Sequence, residues 1–129
     1  MKLMAFDQQT PLAAALLLAG VIHALPLLGV LGAQQLQVLY GLSLEDANLR
    51  ILLRHRAVLF GLLGGGMMAA TFIPHWRTPL AVAGLVSMLS FIAFATAEGG
   101  GNLAIRRVVL VDVIASLMLA AGLLWALRE

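Results

Sequence analysis

Four stretches of this chain are each long and apolar enough to cross a bilayer, and that limits what it can fold into more than any other feature. A hydrocarbon core takes about 20 apolar residues at about 1.5 Å of rise each, and residues 11–31, 56–74, 79–97 and 108–127 meet that requirement. The polar material left over is scarce. Of 129 residues, 62% are hydrophobic and 11% charged, whereas a soluble domain carries about 25% charged residues to face water. The expectation is a single-domain, all-α membrane protein: a four-transmembrane-helix bundle with helices near 11–31, 44–74, 79–97 and 103–127 and both termini on the same face.

Local signals mark the ends of these helices. Pro11 suits a first helical turn, where its missing N–H is no loss, and Pro26 should kink the first helix near its far end. Ser43-Leu-Glu-Asp46 reads as a capping box, with both carboxylates placed at a helix N-terminus. Asp46, Arg50 and Arg54 follow at i,i+4 spacing, a polar stripe on a helix entering the membrane. Pro74-His-Trp-Arg-Thr-Pro79 reads as a tight interfacial turn anchored by Trp76 and Arg77, and Asn102 as the cap of the last helix after a flexible 98–101 link. Residues 32–42, with Gln34, Gln35, Gln37 and Tyr40, read as a short interfacial helix. The first apolar stretch is expected to be retained rather than cleaved. Asp7 and the long uncharged run behind it fit a signal peptide poorly, and no small-x-small site follows.

Several function classes are excluded. A net charge of +2 with no clustered basic face gives no basis for binding nucleic acid. Without cysteine there are no disulfides, thiolate metal sites or cysteine nucleophiles, and no metal site is expected. Orientation is not set by charge. Five arginines (50, 54, 56, 106 and 107) lie on the face opposite the termini, against Lys2, Arg77 and Arg128 on the terminal face. Counting all of them places the opposite face in the cytoplasm, and discounting those at the membrane boundary reverses the result.

The depth at which charges fall points to a site. Measured from the hydrocarbon edge by helical rise, Asp112 lies about 6 Å inside and His23 about 12 Å inside. His23, Arg54, His55, Arg56, Arg106, Arg107 and Asp112 all fall in the leaflet opposite the termini, on three different helices. A carboxylate within a transmembrane helix costs about 2.5–3.5 kcal/mol and normally faces a partner or a water-filled cavity. Arg106 and Arg107 are rotated about 120° and 140° away from Asp112 on their own helix, so the partner is expected on another helix. Arg54 is the expected partner because it shares a face with Gly61 and Gly65, a GxxxG surface continued by Ala69 where a second backbone can approach, in this chain or in a homo-oligomer. Arg56, about 200° round from Arg54, is expected to snorkel to headgroups.

Four uses of this cluster stay open. It could bind an anionic or lipid-like ligand, with arginines holding phosphate or carboxylate, Asp112 orienting them and His23 exchanging a proton. It could be the glue of a structural or assembly subunit whose Asp–Arg pair fixes helix register. It could serve a small dimeric proton-coupled transporter, with Asp112 as the titrating acid. His23 and His55, on adjacent helices, could ligate haem. Arg106 and Arg107 also fit plain headgroup contacts, and Met67, Met68, Phe60, Phe72, Phe91 and Phe94 fit packing better than a cofactor pocket.

The runs His23-Ala-Leu-Pro26, LRILLRHRAVLFGLLGG (49–65) and Arg106-Arg-Val-Val-Leu-Val-Asp112 resemble a group of small four-helix proteobacterial membrane proteins. Members of that group often carry the name phosphopantetheine adenylyltransferase. The resemblance implies a four-helix fold and a place in the bacterial inner membrane, and it transfers no activity. The soluble adenylyltransferases use an H-x-G-H motif that this chain lacks. Gly64-Gly-Gly66 and Gly99-Gly-Gly101 are not phosphate loops, since neither leads into a Lys-Ser/Thr pair.

Overall fold

The computed structural model describes residues 9–27, 33–41, 43 and 45–128. Lys2, Asp7, Leu31 and Leu44, on which parts of the reading above fall, lie outside these residues. Every regular element among the described residues is helical: α1 (Thr10–Ala24), α2 (Ala33–Tyr40), α3 (Ala47–Ala70), a 3₁₀ turn (Pro74–Trp76), α4 (Arg77–Ala97) and α5 (Leu103–Ala126). Within them, α3, α5, α1 with its 3₁₀ extension, and α4 with the 3₁₀ turn before it are long and apolar enough to cross a membrane.

The helix ends follow from single residues. Pro11 lies in the first turn of α1. At the far end the α-helix stops at Ala24 and the chain tightens to 3₁₀ over 25–27, because Pro26 has no N–H to offer the carbonyl four residues back. The start of α3 falls later than the capping-box reading placed it. Asp46, not Ser43, is the cap, and its carboxylate accepts from the Asn48 N–H at 2.9 Å. Both residues are good caps, and Asp46 stands directly before the apolar run. Asn102 caps α5 as expected, accepting from the Ile105 N–H at 2.8 Å. Residues 99–101 link α4 to α5 with φ of +86°, +96° and +71°, a left-handed path that glycine takes without penalty. At the turn between α3 and α4, Arg77 closes the free end of α3 by donating to the carbonyls of Ala70 (3.1 Å) and Thr71 (2.8 Å).

Successive long helices run in opposite directions. The Thr71 hydroxyl donates to the Ala13 carbonyl at 3.4 Å, and Gly122 lies against the Pro11–Leu12 backbone, so the start of α1 shares one end of the bundle with the ends of α3 and α5. The core draws on every long helix: Leu12 and Leu16, Met67, Met88, and Leu119 are fully buried. α1 and α3 approach closely at Gly20 and Gly64, where a methyl on Gly64 would come within 2.6 Å of the Gly20 carbonyl oxygen. Within the chain, α1 meets the α3 backbone here rather than at both glycines of the Gly61/Gly65 face expected from the GxxxG spacing. Gly61 faces the flexible side chain of Leu27, and Gly65 has nothing within 4 Å. Leu62, Val86, Leu110, Leu117 and Leu124 are each at least 60% exposed on the outside. So continuous an apolar exterior complements hydrocarbon rather than water.

Candidate functional site

At the end of the bundle away from Thr10, the last turns of α1, the tip of α2 and the first halves of α3 and α5 surround a pocket of about 270 Å³. Four of the seven residues singled out by sequence line it: His23, Arg56, Arg107 and Asp112. The other three do not. Arg54 and His55 are exposed on α3 away from the pocket lining, and the Arg106 guanidinium lies beside Gly100 in the α4–α5 link.

Arg56 is the arginine turned inward, in the place expected for Arg54. Its guanidinium carbon sits 4.5 Å from the ring centre of Phe60, 5.2 Å from Tyr40 and 5.4 Å from Phe91, within cation–π range of all three. Its Nη1 donates to the Tyr40 hydroxyl at 2.6 Å. Flat aromatic faces favour the cation while leaving its edge donors available. Of the five N–H groups a guanidinium carries, the Tyr40 bond is the one accounted for among the described residues. Phe60 stands four residues after Arg56, one turn along the same face of α3, so this pairing was legible in the sequence. Tyr40 and Phe91 come from α2 and α4, and no spacing rule reaches across helices.

Tyr40 is held as firmly as it holds Arg56. The Asn102 side-chain amide, on the residue that caps α5, donates to the Tyr40 carbonyl at 2.7 Å. Leu49, Leu53 and Ile105 pack around the buried ring. One asparagine thus starts α5 and ties the end of α2 to it.

His23 is only 3% exposed, and both of its ring nitrogens are engaged. Nδ1 donates to the Ala19 carbonyl at 2.9 Å, which leaves Nε2 of the neutral ring to accept from the Ser87 hydroxyl at 3.2 Å. The ring also lies 5.5 Å from that of Phe60. His23 is therefore a wall of the pocket that joins α1 to α4. The haem option finds no support in this arrangement, because ligation at Nε2 would displace Ser87 and His55 is not on the pocket.

Asp112 is 8% exposed and faces the pocket from α5. Among the described residues no donor hydrogen-bonds its carboxylate and no cation makes a direct ion pair with it. Arg56 is the cation whose field reaches it. One turn further along α5, Ser116 is buried and its hydroxyl likewise has no hydrogen-bond partner among the described residues. Arg107 is exposed while bordering the pocket, and so stands at its mouth. The site thus combines an aromatic-backed guanidinium, a second guanidinium at the rim and a carboxylate facing inward, within walls that are apolar apart from His23 and Tyr40.

No family model matches this chain, and neither a curated protein nor a solved structure matches it.

Proposed function

We propose that this chain is an integral protein of the bacterial inner membrane whose four long helices cross the bilayer, and whose pocket binds the anionic headgroup of an amphiphile. The observation that carries the reading is the placement of Arg56. It is turned into the bundle under three aromatic rings, on the lining of a pocket that also holds Arg107 and Asp112. An ionisable residue directed inward from a membrane-spanning helix marks a functional site by default, and planar N–H edges match phosphate or carboxylate oxygens. The volume supports a headgroup rather than a whole lipid: about 270 Å³ lies at the small end of ligand pockets, which run about 300–1,000 Å³. Acyl chains would leave through the apolar walls into the bilayer.

The competing reading is an assembly subunit in which the cluster only fixes helix register. It draws on His23, whose two hydrogen bonds are made within the protein and join α1 to α4. Native mass spectrometry of protein gently extracted from its membrane separates the two. A stoichiometric anionic amphiphile, lost in Arg56→Gln, is the expected result. A ligand-free mass, unchanged on adding phospholipid, would favour the subunit.

A further inference from the structure

An anion accounts for Arg56 and Arg107 and leaves Asp112 unexplained. Asp112 as a residue is 8% exposed, its carboxylate faces the pocket, and it receives no hydrogen bond from any described residue. The neighbours that might have served it are otherwise disposed. His23 Nδ1 donates to Ala19, and Nε2 is taken by Ser87. Ser116, on the same face of α5, makes no hydrogen bond to it. Arg56 donates to Tyr40 and makes no direct ion pair with Asp112. A purely anionic headgroup held by Arg56 would bring like charge towards this carboxylate and supply it no donor.

We propose that the headgroup bound here carries, beside its anionic oxygen, a hydrogen-bond donor, an ammonium or a hydroxyl, which Asp112 accepts, and that Asp112 selects ligands by that donor. The inference rests on the anion-binding reading above. Arg56 and Asp112 line one pocket without a hydrogen bond or ion pair between them, so a headgroup bound there can meet a cation and an acceptor at once. Arg107 at the mouth adds a second contact for the anionic oxygen and none for the donor.

The test uses phospholipid pairs matched in charge and differing in the donor, titrated onto the delipidated protein in detergent and read by native mass spectrometry. Phosphatidylethanolamine and phosphatidylcholine are both zwitterionic, and only the first has an N–H. Phosphatidylglycerol and phosphatidylmethanol are both singly anionic, and only the first has free hydroxyls. In at least one pair the donor-bearing lipid should bind about tenfold more tightly or better, the scale of one hydrogen bond to a charged group. That preference should vanish in Asp112→Ala and partly survive in Asp112→Asn, which keeps an acceptor oxygen. The pair that discriminates identifies the donor as ammonium or hydroxyl. Equal affinities within both pairs of the wild-type protein, with binding still weakened by Arg56→Gln, would overturn the donor rule and leave the anion site standing. So would a preference that persists in Asp112→Ala. Binding that ignores Arg56→Gln would remove the anion site itself.

Discussion

Gly64→Ala and Gly65→Ala put the same methyl group on neighbouring residues of α3, and the structure assigns them opposite consequences. A Cβ on Gly64 would stand 2.6 Å from the Gly20 carbonyl oxygen, 2.8 Å from the Ala24 nitrogen and 3.1 Å from the His23 carbonyl carbon. All three are backbone atoms, so no side chain can swing aside. Ordinary contact begins near 3.4 Å, so α1 and α3 must separate by about 0.8 Å, the difference between 3.4 and 2.6 Å. A gap of that size forfeits about a quarter to a half of each dispersion contact along the seam, and overpacking of this kind costs about 1–3 kcal/mol. Gly65 has nothing within 4 Å, so its methyl meets open space. Both variants gain the same helix propensity, up to about 1 kcal/mol, and that gain cancels in the comparison. Gly64→Ala should therefore be less stable than Gly65→Ala by about 1–3 kcal/mol. Gly65→Ala should equal or exceed the wild type. Thermal unfolding in detergent, followed by helical circular dichroism, measures both. Coincident melting curves for the two variants would refute the argument, because they would mean that α1 and α3 do not touch at Gly20 and Gly64. Because His23 and Ala24 are the atoms displaced, Gly64→Ala should also weaken headgroup binding, whereas Gly65→Ala should not.

Two further perturbations follow from single hydrogen bonds. Asn102→Ala removes both the cap on α5 and the tie to the Tyr40 carbonyl, and should destabilise the protein by about 1–3 kcal/mol. Asn102→Asp restores the cap acceptor without the amide donor and should melt between the two, so an aspartate variant no better than alanine would show that the cap contributes nothing. Tyr40→Phe keeps the ring under Arg56 and removes the oxygen that accepts from it at 2.6 Å. A loss of about 1–2 kcal/mol in thermal stability is expected for a hydrogen bond to a charged group, with weaker retention of the anionic lipid, and a variant that melts and binds like the wild type would count against the Arg56–Tyr40 contact.

The sequence by itself determined the elements. Four apolar runs of bilayer length, Pro11 at a helix start, Pro26 as a break near the end of the first helix and Asn102 as a cap are local facts, set by backbone chemistry within a few residues, although the break at Pro26 ends the α-helix where a kink was expected. Even the Arg56–Phe60 stack is written at i,i+4 spacing on α3. Which way each helix faces was decided only by the tertiary structure. Amphipathic helices advertise their buried face, but α1, α4, α5 and the half of α3 from Ala57 onward are apolar nearly all round, so the periodicity that would mark an inward side is largely absent, and the polar stripe at the start of α3 does not point to the pocket. Arg54 and Arg56 lie about 200° apart on one helix, and fixing that helix's rotation decides which enters the pocket. The GxxxG spacing pointed to Gly61 and Gly65 and hence to Arg54. The actual contact is Gly64 against Gly20, where two backbones approach too closely for any side chain, and it turns Arg56 inward instead. Spacing along one helix fixes relative angles, and only packing against a second helix fixes the absolute one.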